Sequence, residues 1–597
     1  MTKIFQSEYN LKFQKFTKVI LFVILLLLTQ LASNQLFEAG YFSYTAIFII
    51  GTLASVILII KSIRGDGKIC FNAIDLSFIA FTLLLFMRWI GTENSWIYSK
   101  AAIAVNLIPI YFFIKSFKSI YLIQWALIFT GVFQIVVSFL QKLSYIQNTN
   151  SYFEVGGTVG NPNVLAMLLL FTILSAIYLL YQTRATLTRN LLLTYILLAL
   201  SIIVFTRCRT AILGIVAVGI FFLTKNNWTP IHRTVRLVLI GVLGLTFSGF
   251  LLLIIEKSES LTGRLLIWQA SFVKIIGKPL WGYGISSFHQ VYPDAQRIFL
   301  ENNLNSNYSY VADTPKWAYN DFIELWLEGG LFTALAFLMI LISVLYCWKL
   351  QKHFNFNGDN IAFLAATIFF VLSISNFAFT AWPVLLVFVI NLAWCSQLCP
   401  NNIQIRIVPK LGFALSLALL TGSIVVGTAT YKNVLFQYKF NKVGGLPLIE
   451  QREFYSNSAK RYQNYTPFAF NHAAFLCSEN RTQEALSALH HIYNREPSYQ
   501  TTYQLAETYR KMNDYKNAEI YYEESLKFLS YRILPRYHLF MIELLNKNYV
   551  KADSIRKQAL YLNYKGDTIL INQIKTSLCK YKINENQINE NQINLIK

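Results

Sequence analysis

YLIQWALIFTGVFQIVVSFL, residues Tyr121–Leu140, runs for twenty positions without an acidic or basic side chain. At about 1.5 Å per residue such a helix is roughly 30 Å long, the thickness of a bilayer's hydrocarbon core. Comparable runs recur at Val19–Leu36, Ala46–Ile60, Ile74–Ile90, Leu191–Phe205, Leu237–Ile255 and Leu411–Val426. A transmembrane β-barrel would instead alternate apolar and polar residues over about ten positions, and this chain does not. With 55% hydrophobic, 16% aromatic and 14% charged residues, its 597 positions are far from the soluble average. The pattern predicts an all-α polytopic transmembrane bundle of about thirteen spans, within a range of 12 to 14. About nine lie in residues 1–255 and about four in 319–431.

The flanks of the spans orient them. With the N-terminus inside, the inward segments carry Lys3, Lys12, Lys15 and Lys18, then Lys61, Arg64 and Lys68, then Lys115 and Lys118, then Arg184 and Arg189. Lys225, Arg233, Arg236, Lys349, Lys352, Arg406 and Lys410 continue the series. The short outward loops hold chiefly Arg88, Lys100, Lys142, Arg207 and Arg209. This asymmetry follows the positive-inside rule, so the net charge of +22 needs no nucleic-acid partner. The first apolar run lacks a small-residue cleavage site and reads as a retained anchor. Nine crossings place residues 256–318 outside as one large loop. Thirteen place everything after about residue 431 outside too.

After Lys432 the composition turns polar and tyrosine-rich. A linker over 432–467 precedes a stretch in which Ala485, Ala518 and Ala552 recur in similar contexts. Their period of about 34 resembles tetratricopeptide repeats, three units over 468–565 stacked as a small α-solenoid, with irregular helical hairpins the alternative. Residues 566–597 form a tail with a tandem Asn/Gln-rich repeat. Cys395 and Cys399 read as small apolar residues at a helix end, and Cys477 and Cys579 as a pair that an oxidising compartment would allow.

Polar groups concentrate on the outward side. Arg207 and Arg209 sit between two apolar runs, where guanidinium groups either hold an anion such as phosphate or snorkel to headgroups. Gly156-Gly157-Thr158-Val159-Gly160-Asn161-Pro162-Asn163 is a glycine-rich turn before a span, whose N–H groups and helix start suit phosphate. Arg264 opens an amphipathic stretch, Leu265–Ile276, that would lie in the membrane interface and hold Arg264 and Lys274 at headgroup depth. His289 is the loop's one histidine. Tyr319-Asn320-Asp321-Phe322-Ile323-Glu324 and Glu328-Gly329-Gly330 close the segment. Glu328 reads either as a substrate group or as a capping, loop-positioning carboxylate.

Asn161-Pro162-Asn163, Arg209-Thr210, Gly263-Arg264-Leu265-Leu266-Ile267-Trp268, Gly282-Tyr283-Gly284, Asn320-Asp321 and Glu328-Gly329-Gly330 occur in that order. The ordered set resembles the O-antigen ligase/polymerase superfamily of bacterial envelope glycosyltransferases, well over roughly 150–345 and by topology elsewhere. The resemblance implies metal-independent transfer of a glycan from undecaprenyl pyrophosphate on the periplasmic face of the inner membrane, without a cofactor. The acceptor is lipid A-core or a protein hydroxyl in ligase-type members, and another repeat unit in polymerases. It also implies pyrophosphate binding by Arg209 and Arg264, with Arg207 as a neighbour; Lys274, at headgroup depth, is a further candidate for the pyrophosphate. Asn161, Asn163, Asn320 and Glu328 are then substrate-binding candidates.

One position departs from the pattern. Ligases usually have His-Asn where this chain has Tyr319-Asn320, and an unperturbed tyrosine is a poor base at neutral pH. Acceptor activation is therefore expected from Glu324 or Asp321 before His289, with Tyr319 hydrogen-bonding the sugar or pyrophosphate. A ligase-type transferase, including protein O-glycosylation, is the first reading, and the repeats would recruit a protein or lipid-carrier acceptor. A repeat-unit polymerase is the second, favoured by Tyr319. A lipid-linked glycan transporter and an envelope scaffold are the non-enzymatic alternatives.

Overall fold

The structure, a computed structural model, describes residues 26–27, 30, 41–63, 68–90, 100–117, 120–148, 150, 153–223, 258–303, 308–351, 358–400, 403–406 and 409–581. In chain order the elements are α1 (Tyr41–Ile63), β1 (Lys68–Phe71), α2 (Ala73–Ile90), α3 (Lys100–Lys115), α4 (Ile120–Lys142), α5 (Pro162–Gln182), α6 (Thr186–Thr206) and α7 (Arg209–Leu223). Then come α8 (Ser258–Gly277), α9 (Phe288–Glu301), the single turn α10 (Tyr308–Val311), α11 (Asp321–Leu350), α12 (Asn360–Ser375), α13 (Trp382–Leu398), β2 (Ile403–Arg406) and α14 (Pro409–Lys442). The chain continues with α15 (Leu448–Tyr462), α16 (Thr466–Ser478), α17 (Thr482–Arg495), α18 (Tyr499–Lys511), α19 (Tyr515–Phe528), α20 (Ile533–Leu545), α21 (Tyr549–Tyr561) and α22 (Thr568–Lys580).

Among the described residues the protein is all-α apart from one ladder, in which β1 and β2 pair antiparallel with Lys68 opposite Arg406. Among the described residues six helices are long and apolar enough to cross a membrane, namely α2, α4, α5, α6, α11 and α14, and five shorter ones are apolar. The expected span at Leu237–Ile255 lies outside the described residues, as does Val19–Leu36 but for three positions.

The chain divides into two compact units, and the division is not the one read from sequence. The first holds the described residues of 1–257, 279–286 and 317–439, and the second those of 258–278, 287–316 and 440–597. The loop expected over 256–318 is thus shared out, its helices grouping with the C-terminal ones. The linker expected over 432–467 is helical, containing the end of α14 and all of α15.

In the first unit α5 is the central helix, buried on nearly every side against α4, α6, α7, α12 and α13. A methyl group on Gly131 of α4 would fall 2.0 Å from the Tyr195 hydroxyl, which donates to Thr172 Oγ1 at 2.6 Å. The bare glycine is what lets α4, α5 and α6 approach. At the other end, Asn72 accepts from the amides of Ile74 and Asp75, and Asp75 Oδ2 accepts from the Asn72 amide at 2.7 Å, a reciprocal cap on α2. Asp75 is fully buried, yet Lys115 (2.5 Å), Tyr111 (2.6 Å) and Ser396 (2.8 Å) all donate to it. A buried charge persists only when compensated in this way.

In the second unit α16–α17, α18–α19 and α20–α21 are helical hairpins. Ala485, Ala518 and Ala552 are each fully buried where paired helices meet. Asn480, Asn513 and Lys547 all take positive φ, at spacings of 33 and 34, and end the first helix of each hairpin. The following amides reach back to the carbonyls of Leu476, Tyr509 and Glu543, the six-to-one bond of a Schellman closure. Cys477 and Cys579 are both free, so the pair that their compartment would allow is not formed; among the described residues Cys347 and Cys399, near the ends of α11 and α13, pair instead.

Candidate functional site

Helix α11 begins with three carboxyls. Asn320 caps it, its side-chain oxygen accepting from the amides of Phe322 (3.0 Å) and Ile323 (3.1 Å). Helical spacing then puts Asp321, Glu324 and Glu328 on one face, and all three are buried. Asp321 Oδ2 accepts from the Phe379 amide at 2.9 Å, and Glu324 Oε2 from the Ala318 amide at 2.7 Å. Lys100, at the start of α3, donates to Glu324 Oε1 and, at 3.0 Å, to Glu328 Oε2. Its three donors make one buried ammonium the bridge between two carboxylates.

Lys100 is the member of this buried cluster that sequence reasoning did not single out. It entered only as a topological marker of the outward face. The available signal was that a lysine opening an apolar helix needs an anionic partner.

A short strap, Pro279–Ser286, crosses α11 where that helix kinks. Gly330 has φ +80°, which breaks the helical ladder and frees carbonyls upstream. The strap takes them: Tyr283 N donates to Leu327 O (2.9 Å) and Gly284 N to Glu328 O (2.7 Å), while Leu331 N donates back to Pro279 O (2.9 Å). A methyl on Gly330 would sit 2.0 Å from Leu280 O, and one on Gly282 (φ +63°) 2.6 Å from the carbonyls of Leu327 and Glu328. These two glycines are therefore requirements of the crossing. Trp326 Nε1 donates to Pro279 O at 3.0 Å, and the Arg88 guanidinium lies over Trp281 at 5.8 Å. Ser286 Oγ accepts from the Lys100 amide at 3.3 Å. Strap, kink and acidic face are one assembly.

The arginine corner approaches the same region. Arg207 ends α6 in a left-handed conformation and is exposed, and Arg209 begins α7 half-buried. Next to it, Thr210 Oγ1 lies 3.4 Å from Ser375 O and accepts from Asn376 Nδ2 at 3.4 Å. One residue on, Phe377 stacks on Trp317 (4.3 Å between centroids) and meets Tyr319 edge-on (5.8 Å). Tyr319 has φ +52°, a conformation that bulky side chains rarely adopt. The α12–α13 connection thus joins the Arg209 corner to Tyr319, Asn320 and Asp321.

The glycine-rich turn does not offer what its sequence suggests. Gln141 Oε1 accepts from the amides of Gly156 (3.0 Å) and Gly157 (2.8 Å), and Gln134 Oε1 from that of Thr158 (3.0 Å). The Asn161 side chain caps α5, accepting from the amides of Asn163 (2.9 Å) and Val164 (3.4 Å). The N–H groups of Gly156, Gly157, Thr158, Asn163 and Val164 thus already donate into the protein.

Arg264, Lys274 and His289 belong to the second unit. Arg264 is half-buried on α8 and His289 is exposed in the first turn of α9. Lys274 pairs with Asp294 at 2.5 Å, which also accepts from Arg297 at 2.7 Å. Burial pushes the Asp294 carboxyl up, but those two cations outweigh it and leave it below its ordinary value. The stretch Leu265–Ile276, expected to lie in the interface, divides its apolar residues between two sides. Ile267 and Ile275 are buried in protein together with Leu266, while Leu265, Phe272 and Ile276 are exposed.

The chain is a multi-pass helical protein of membrane type. Residues 165–338 match the family described as O-Antigen ligase. The matched stretch contains the Arg209 corner, α8, α9, the strap and the acidic face of α11. It supports a membrane enzyme of the O-antigen ligase/polymerase kind, one that transfers glycosyl groups and meets lipid-linked glycan and membrane lipid. A comparison with curated proteins returns no match.

Proposed function

We propose that this protein transfers a glycan from undecaprenyl pyrophosphate to an acceptor hydroxyl, lipid A-core or protein, on the periplasmic side of the bacterial inner membrane. The observation that carries the reading is the family match over 165–338, which spans both the arginine corner and the buried acidic face. In the reaction the acceptor oxygen bonds to the anomeric carbon, the carbon–oxygen bond to pyrophosphate breaks, and the hydroxyl proton passes to a carboxylate. Guanidinium groups, Arg209 with Arg207 and Arg264, stabilise charge on the departing pyrophosphate and make a metal unnecessary. Lys274 contributes less, being already paired with Asp294.

Asp321 or Glu324 takes the proton, with Lys100 and the backbone amides holding these carboxyls in place. Tyr319, held at positive φ beside Phe377, orients the sugar or phosphate. The C-terminal hairpins are tetratricopeptide-like. The position of Tyr319, where ligases usually carry histidine, favours a second reading as a repeat-unit polymerase.

The test is in vitro transfer by purified protein from a lipid-pyrophosphate-linked glycan, comparing wild type with Arg264→Ala. Label on lipid A-core or protein, lost in the variant, is expected. Longer glycan still on the lipid carrier would mean polymerisation. No transfer to any acceptor, from protein that is folded and binds the lipid, would overturn both readings.

A further inference from the structure

The second unit joins helices far apart in sequence. Leu266 of α8, Leu300 of α9 and Ala312 close one apolar cluster with Phe528 and Leu529, where α19 turns toward α20. At its edge lies Gln296, buried to 1% exposure. Gln296 Nε2 lies 3.4 Å from the Phe528 carbonyl, and its Oε1 accepts from Tyr292 (2.9 Å) and from the Asp313 amide (3.4 Å). One amide side chain thus ties α9, the segment after α10 and the α19 terminus.

Three further contacts surround it. The Asp313 carboxylate lies 3.3 Å from both Arg532 and Lys565. The Arg297 guanidinium lies over the Phe528 ring at 5.6 Å. Tyr310 meets Tyr531 edge-on at 5.3 Å between centroids. Residues 528–532 are therefore a seat already filled by the chain's own loop helices.

We propose that the turn at Phe528–Arg532 is a positioning element of the transfer reaction, a seat that sets α8 and α9 and so the placement of Arg264. The proposal rests on the transferase reading above. Its physical basis is that reacting groups misplaced by about 1 Å lose on the order of 100-fold in rate. The seat has two separable parts. The apolar cluster holds it together, and the Asp313 pair with Arg532 and Lys565 fixes its register from a half-exposed position where substitution does not open a core. Asp313, Gln296 and Arg532 act on the reaction through α8 and α9.

The experiment uses the full-length protein in nanodiscs. Transfer kinetics and hydrogen exchange over residues 258–301 are measured for wild type, Gln296→Ala, Asp313→Arg and the swap Asp313→Arg with Arg532→Glu. The single variants are expected to exchange faster in α8 and α9 and to lose roughly tenfold or more in kcat with KM for acceptor little changed. The swap restores opposite charges between 313 and 532 but leaves Lys565 beside an arginine, so it should recover both readouts in part.

Unchanged exchange in both single variants would overturn the seat. Faster exchange with full kcat would overturn its role in positioning. A wild type that transfers nothing breaks the functional reading itself, and the catalytic half of the proposal with it. An active wild type with indifferent variants breaks only the proposal.

Discussion

Two buried glutamates, one in each unit, differ in what surrounds them. Glu324 is 1% exposed and both its oxygens are partnered, one by Lys100 and the other by the Ala318 amide. Glu496, just after α17, is 6% exposed and has one oxygen bonded to the Thr466 hydroxyl, while Oε1 has no hydrogen-bond partner. Burial pushes the Glu496 carboxyl up to about 7, against a small opposing effect of Thr466 and Arg495. A buried carboxyl is often taken as the mark of a functional site. Here the better mark is compensation. Glu324 has a cation on one oxygen and a backbone amide on the other, whereas Glu496 has a single hydroxyl.

Removing the cation at the first glutamate should have the largest effect. Lys100→Met leaves Glu324 and Glu328 buried without their ammonium, and breaking such a pair costs about 3–5 kcal/mol. Thermal unfolding in detergent should show a large drop in midpoint, partly restored by adding Glu328→Gln. A midpoint unchanged by Lys100→Met would mean that the cluster does not compensate charge at all.

The second glutamate gives a pH signature of the opposite kind. Its folded value of about 7 exceeds the ordinary 4.5, so between these the native state keeps a proton that the unfolded chain has lost. Stability from this group is therefore fullest below pH 4.5 and falls as pH rises through 7, by roughly 3–4 kcal/mol in all. Glu496→Gln should flatten that slope in melts of the second unit between pH 5 and 8. A slope that survives the substitution would assign it to another group.

A buried amide side chain sharpens the comparison without any charge. Gln141→Leu strips the Gly156 and Gly157 amides of their acceptor, and a buried donor left unsatisfied costs about 1–3 kcal/mol. The midpoint should fall while the donor's KM stays as in wild type, because the turn serves the fold. A rise in KM for the lipid-linked donor would return the turn to the site.

The smallest effect is expected where both partners meet water. Lys142 and Glu154 lie 2.6 Å apart but are 44% and 78% exposed, and such pairs contribute little. Lys142→Ala should leave the melting midpoint and activity as they are. A measurable loss would mean that this pair has a role beyond its geometry.

Much of the architecture was legible from periodicity and capping chemistry. Tyr121–Leu140 lies within α4, Ile74–Ile90 within α2 and Leu191–Phe205 within α6. The recurrence of Ala485, Ala518 and Ala552 coincides with three hairpins closed in the same way. Asn320 followed by acids reads locally as a helix start, and it is one. In each case the information sits within a few residues, because helix formation and capping are short-range.

The sequence by itself therefore determined an all-α membrane protein, its polar segment late in the chain, and the acidic face of α11. Tertiary structure alone decided the partners. Lys100 meets Glu324 and Glu328 across 224 and 228 residues, and Gln296 reaches the Phe528 carbonyl across 232. The same is true of Gln134 and Gln141, whose side chains occupy the glycine turn, and of the loop helices that join the C-terminal hairpins. Local patterning specifies which face of a helix is buried. It carries no record of which distant groups that face will meet, since this is settled by the packing of the whole chain.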